Sequence, residues 1–243
     1  LGLPAHDQIQ YRCRANLNLY DSPELVRLAT QAAAGRQLQL VSPLSVIPKA
    51  TAVEVCLCED GYPGWLPIQS LEQLTPAEVP YQPLILEAAE IRDRIPAAIA
   101  FAQAAMAEPN CYLWGGTVAP DYDCSGLVQA AFASVGIWLP RDAYQQEAFV
   151  QPIALTDLIP GDLIFFGTAL KATHVGIYLA EDQYIHSSGK DQGRNGIGID
   201  RVSGTGDRIS QTYHAQLRGF GRVVAVYVPE TLERRPQAEE LID

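Results

Sequence analysis

The chain has 243 residues, 48% hydrophobic and 19% charged, a balance that excludes a disordered or collagen-like polymer. Its 28 Asp and Glu against 17 Lys and Arg leave a net charge of −11, a field that repels nucleic acid and anionic membrane surfaces and draws amine-bearing ligands. No apolar run approaches the roughly 18–20 residues that span a bilayer, and residues 1–10 lack a basic segment ahead of an apolar core, so no signal peptide is visible in them. Cys13, Cys56, Cys58, Cys111 and Cys124 form no C-x-x-C pair and no regular framework. An odd, irregular set is expected to stay unpaired, which favours a reduced, cytoplasmic setting.

In chain order, residues 16–23 have the pattern of a short strand ending in a turn. Residues 52–60 alternate, with Val53, Val55 and Leu57 on one face and Glu54, Cys56 and Cys58 on the other. They run into the turn-rich Asp60-Gly61-Tyr62-Pro63-Gly64-Trp65. Short strands of this kind predict a small β-barrel in residues 1–80. Residues 69–81, rich in Pro, Glu and Gln, are expected to be a linker. Two helices are predicted over 84–94 and 96–107, with Pro96 in the first turn of the second. Ile95, Ile99, Ala102 and Met106 then form a core stripe at helical spacing.

From Cys111 the pattern changes. Leu127, Val128, Ala131, Phe132 and Val135 predict an amphipathic helix that starts at Cys124 and ends at Gly136. Strands are predicted over 162–166, 174–179, 183–187, 198–202 and 219–228, followed by a loose charged tail after Pro229. A helix followed by a mostly antiparallel sheet is an α+β plan for residues 81–243.

The chemistry centres on Asp121-Tyr122-Asp123-Cys124-Ser125-Gly126-Leu127. Asp123 or Ser125 can cap the helix, and a thiol at a helix start feels the positive end of the dipole, which lowers its pKa. The free N–H groups there can receive an oxyanion. In Thr173-His174-Val175-Gly176-Ile177-Tyr178-Leu179, His174 shares a face with Gly176 and Tyr178, leaving room for a packed helix or a substrate. A turn at 180–182 brings His186 to the same surface. Nucleophile, base and orienting group are then together. A Cys-His-His zinc site is the rival, but spacings of fifty (174−124) and twelve (186−174) residues match no compact zinc motif, so no metal is expected. His6 and His214 are expected to be exposed and uninvolved.

Tyr112-Leu113-Trp114-Gly115-Gly116, Asp123-Cys124-Ser125-Gly126-Leu127-Val128, Leu139-Pro140-Arg141, Pro160-Gly161-Asp162-Leu163-Ile164-Phe165-Phe166, Thr173-His174-Val175-Gly176-Ile177-Tyr178 and Tyr184-Ile185-His186-Ser187 together resemble the NlpC-type cysteine peptidases of bacterial cell-wall turnover. The resemblance covers roughly residues 95–228. It implies a papain-like fold with Cys124 as nucleophile, His174 as general base and acid, His186 orienting His174, and Tyr112 helping to bind the oxyanion. The segment around Tyr62 resembles a bacterial SH3-like barrel. Members with both parts resemble γ-D-glutamyl-diaminopimelate endopeptidases acting on stem peptides with a free N-terminal L-Ala. In that likeness Asp123 and Asp142 hold the amine, Ser125 lines the pocket and Tyr62 closes it. Ala143 stands where some relatives carry a hydroxyl.

The resemblance thus implies a hydrolase of peptidoglycan stem peptides that uses no metal or organic cofactor and takes no nucleic acid or membrane partner. Cytoplasmic recycling is favoured over secretion. Two alternatives stay open: a wall-binding module with an idle catalytic domain, and another papain-like amidase or acyltransferase.

Overall fold

The computed structural model describes residues 9–41 and 51–230. His6, the beginning of the chain and most of the tail after Pro229 lie outside them. The first part is β-structure: β1 (Gln10–Cys13), β2 (Leu17–Tyr20), β3 (Leu28–Ala32), β4 (Gln37–Leu40), β5 (Ala52–Leu57), β6 (Pro63–Pro67) and β7 (Leu74–Pro76). The alternation predicted for β5 holds, with Val53, Val55 and Leu57 in a small core beside Leu19, Leu38 and Leu66.

The sheet is not a barrel. Its order is β3-β2-β6-β5-β4-β1-β7, so β3 and β7 are open ends that never meet. The edge of β3 is used otherwise: Gln31 accepts from the backbone of Thr117 and Val118 through Oε1 (3.0 and 3.2 Å), and its carbonyl accepts from the Thr117 hydroxyl (2.9 Å). An edge covered by another element needs no closure to protect its polar groups. At the far end β7 finishes in Pro76, which has no N–H for a further ladder. Of residues 69–81, expected as linker, those up to Pro76 instead belong to a 3₁₀ turn (Ile68–Gln73) and β7, which pairs with β1.

The second part begins with one helix, α1 (Ala88–Ala107), rather than two. Pro96 lies within it, and its missing N–H and ring are tolerated because Ile91, Ala98 and Ala102 on either side are buried against the core. A two-stranded ribbon, β8 (Thr117–Val118) and β9 (Asp121–Tyr122), leads into α2 (Cys124–Ala133), and α3 (Ala143–Phe149) follows. Then come β10 (Gln151–Ile153), β11 (Leu163–Gly167), β12 (Ala172–Ala180), β13 (Gln183–Ser188), β14 (Gly196–Arg201), α4 (Arg208–His214) and β15 (Leu217–Arg222). Six of these strands form a sheet in the order β10-β15-β11-β12-β13-β14.

The two faces of that sheet are chemically distinct, as strand alternation dictates. Val175, Ile177 and Ile185 pack with Leu127, Val128, Ala131 and Phe132 of α2 in the main core. Phe166 and Tyr184 lie on the other face with Tyr213 of α4. The helix covering the histidine face is therefore α4, and the nucleophile's helix packs on the apolar side. None of the five cysteines forms a disulfide.

Candidate active site

The predicted helix start is where the structure has it. Asp123 is the N-cap of α2, and its Oδ1 accepts from the Gly126 N–H at 2.6 Å; such a cap contributes about 1 kcal/mol. Gly126 has no room for a side chain, since a Cβ there would stand 2.0 Å from the Gly116 carbonyl. The tyrosine-bearing loop of residues 112–116 can thus close onto the first turn. Cys124 is buried at 6% exposure, with Sγ 4.0 Å from the Thr173 carbonyl, while the backbone N–H groups of Val175 and Ser125 favour its thiolate. The sulfur therefore sits against the backbone on both sides of His174.

The sign of the thiol's shift reverses the sequence expectation. Burial pushes it up to about 12, the Asp123 carboxylate adds to that, and the two N–H groups offset only part. A helix end contributes about 0.3–1 kcal/mol when exposed and up to about 2 when partly buried, less than desolvating a thiolate. Burial and the neighbouring His186 hold His174 well below the usual histidine range. Burial thus favours the neutral form of both groups.

His174 Nε2 lies 2.6 Å from His186 Nδ1, and His186 Nε2 lies 2.6 Å from Asp200 Oδ2. Arg194 Nη2 donates to both oxygens of Asp200 at 2.7 Å. The sheet register explains this row. His186 is paired with Gly198 on β14, and the pairing of Ile177 with Ile185 sets Gly176 of β12 on its other side. His174 and Asp200 are each two residues from those glycines, so the three side chains run diagonally across three strands. Tyr213 stacks on His174 at 4.2 Å and 24°, its hydroxyl bonded to Ser188 Oγ at 2.7 Å.

In front of the thiol is a cleft of about 390 Å³. It brings together six of the residues singled out from sequence, Tyr62, Tyr112, Asp123, Cys124, Ser125 and Asp142, and Asp21 and Arg27 of the β2–β3 connection line it too, with Leu28 and Ala29 of β3. His174 and His186 do not line it; both are buried. Tyr112 is raised above the ordinary tyrosine range by burial, with Cys124 and Asp123 adding, so it is a neutral O–H donor.

The two acids differ in their commitments. Asp123 takes the Gly115 N–H (2.9 Å) as well as Gly126, and it receives Arg141 through Nη1 (3.1 Å) and Nη2 (2.6 Å). Its lone pairs are spent inside the protein. Arg141 is fully buried, also bonding Ser125 Oγ (3.0 Å) and, across to the N-terminal sheet, Thr30 Oγ1 (2.9 Å). Asp142, the N-cap of α3, instead faces the Tyr62 hydroxyl at 3.4 and 3.5 Å. Burial raises its pKa, against the pull of Arg141. Lys171 Nζ lies 5.4 Å from the Tyr144 ring centroid at the same cleft and has no ion pair among the described residues.

Sequence reasoning missed Asp200, Arg194, Tyr213 and the buried role of Arg141. A signal for Asp200 was present: Gly198 and Asp200 share one face of the strand predicted over 198–202.

Against this geometry, residues 110–216 match the NlpC/P60 family, and residues 19–71 match the bacterial dipeptidyl-peptidase Sh3 domain. Residues 110–216 are thus similar to an NlpC/P60 cysteine-peptidase domain and residues 19–71 to an SH3-like one. It is 37% identical over 114 residues to the probable endopeptidase p60 of Listeria monocytogenes, which is 47% of this chain and 21% of that protein. It is 42% identical over 90 residues to a probable endopeptidase of Mycobacterium bovis, 37% of this chain and 23% of the relative. The chain thus spans about a fifth of the length of these curated relatives. A crystal structure of an NlpC/P60 family protein from Bacillus cereus is 21% identical, with a TM-score of 0.46 over 90% of this chain and 64% of that one.

Proposed function

We propose that the protein is a cysteine endopeptidase that hydrolyses the γ-D-glutamyl-diaminopimelate bond of peptidoglycan stem peptides bearing a free N-terminal L-Ala. The observation that carries this reading is the Tyr62–Asp142 contact. It closes one end of the nucleophile's cleft with a partly buried carboxylate and a wall from the other domain. A carboxylate there is built for an ammonium, and a closed end suits a short released fragment more than a continuous polymer. The L-Ala-D-Glu head of such a peptide carries an amine and an α-carboxylate, with the scissile bond on the Glu side chain. Asp142 would take the amine, and Lys171 is the cation available to the carboxylate.

The chemistry follows from the groups present. As the substrate carbonyl arrives, the Cys124 proton passes to His174 and sulfur bonds to the carbonyl carbon. The oxyanion is received by the Cys124 backbone N–H and the Tyr112 hydroxyl. On collapse the C–N bond breaks, and His174 gives its proton to the leaving diaminopimelate amine. Water, deprotonated by His174, then attacks the thioester, and the thiol leaves with that proton restored.

The test is product mass spectrometry on L-Ala-γ-D-Glu-diaminopimelate, free and N-acetylated. Acetylation removes the charged contact, worth about 1.5–3 kcal/mol, so the acetylated peptide should be cut at least roughly tenfold more slowly. Equal rates would exclude the amine pocket and favour intact wall as substrate.

A further inference from the structure

The row behind His174 extends past the groups that exchange protons in the proposed reaction, and it has a direction. A neutral imidazole has one N–H and one lone pair, while an ionised carboxylate only accepts. Asp200 is buried, and Arg194 donates to both of its oxygens. Burial would raise its pKa, but His186 and Arg194 together hold it below the usual aspartate range. The 2.6 Å contact to His186 therefore carries an N–H from Nε2. That leaves His186 Nδ1 bare, so the 2.6 Å contact between the rings is an N–H from His174 Nε2. His174 is left with its lone pair on Nδ1.

We infer that Asp200, gripped by Arg194, is a positioning residue that sets the tautomers of both histidines so that His174 meets the Cys124 thiol with a bare Nδ1. The inference rests on the reading of Cys124 and His174 as the catalytic pair. A single proton in the wrong place reverses it. If the group at 200 donated to His186 Nε2, the His186 proton would move to Nδ1, His174 Nε2 would become the acceptor, and His174 Nδ1–H would face the thiol as a useless base. The wrong tautomer cannot take the thiol's proton.

The backbone is built around this row. A Cβ at Gly176 would stand 3.2 Å from the His186 Cβ, and a Cβ at Gly198 would stand 2.1 Å from Arg194 Nη1. The two glycines beside His186 thus let His174 approach on one side and let the guanidinium lie over the strand on the other. Tyr213 stacks on His174 and fixes its ring plane.

The test is ¹⁵N NMR of the histidine rings in the unliganded full chain, paired with turnover of the stem tripeptide. The wild type should show His186 and His174 both protonated at Nε2; a proton on His186 Nδ1 would overturn the inference without any variant. In Asp200→Asn the amide oxygen turns to the guanidinium, the stronger donor, and its NH₂ faces His186. The His186 proton should then move to Nδ1, and kcat should fall roughly a hundredfold or more. Arg194→Gln keeps the carboxylate, so it should keep the wild-type tautomers and lose far less activity. Asp200→Asn with wild-type tautomers and kcat within tenfold would also overturn it. If the wild type does not cut the tripeptide, the substrate reading fails, and the ring protons still decide the positioning role.

Discussion

Replacing Arg141 by Met keeps most of the side chain's volume and removes its charge. Asp123 would lose both guanidinium contacts while its carboxylate stays buried at 10% side-chain exposure. Removing one partner of a buried ion pair destabilises by about 3–5 kcal/mol, roughly a fifth or more of a typical total of about 5–15 kcal/mol. With a urea m-value of about 2–3 kcal/mol per M, the unfolding midpoint should drop by roughly 1–2.5 M. Asp123 also caps the helix that bears Cys124 and holds the Gly115 N–H, so activity should fall further than stability alone explains. The companion variant is Asp123→Asn. If the two charges are coupled, Arg141→Met in that background should cost at least about 2 kcal/mol less than in the wild type. Additive losses, or a midpoint shift under about 0.3 M for the single change, would refute the claim that this pair braces the site.

Other outcomes follow from the same geometry. Because the Cys124 thiol is pushed up to about 12, its alkylation by iodoacetamide should rise about tenfold per pH unit from pH 6 to 10; a plateau in that range would reveal a resting thiolate–imidazolium pair. Asp142 is raised by burial, so it protonates at a higher pH than the ordinary value of about 3.9. The preference for free over acetylated peptide should therefore shrink as pH falls through that range, and a preference unchanged down to pH 4 would remove Asp142 from amine binding. Tyr62→Phe loses only a hydroxyl 3.4 Å from Asp142 and should raise KM a few-fold, whereas Tyr62→Ala opens the cleft end and should raise it roughly tenfold or more; equal KM values for both would deny the wall its role.

Much of the site was legible because its signals are local. The apolar stripe from Leu127 and the acid before Cys124 mark a capped helix, and alternation around His174 and His186 marks two strands joined by a tight turn. What was not legible depends on partners distant in sequence. The open sheet could not be told from a barrel because closure depends on whether β3 meets β7 or the ribbon at Thr117. Pro96 suggests a helix start in any local reading, and only packing of Ile91 and Ala98 carries α1 through it. Asp200 acquires meaning only from the register that sets Gly198 opposite His186. Arg141 has the composition of a surface cation until Asp123 and Thr30 enclose it. The direction of the thiol's shift depends on burial, which a motif does not encode.

The central claim is that Cys124 forms an acyl-enzyme with the glutamyl carbonyl. Intact-protein mass spectrometry on acid-quenched reactions with the stem tripeptide tests it most directly. The account predicts an adduct with the mass of L-Ala-γ-D-Glu less water, mapped to Cys124 and absent from Cys124→Ala. Turnover by Cys124→Ala within tenfold of wild type, or an adduct on another residue, would contradict it.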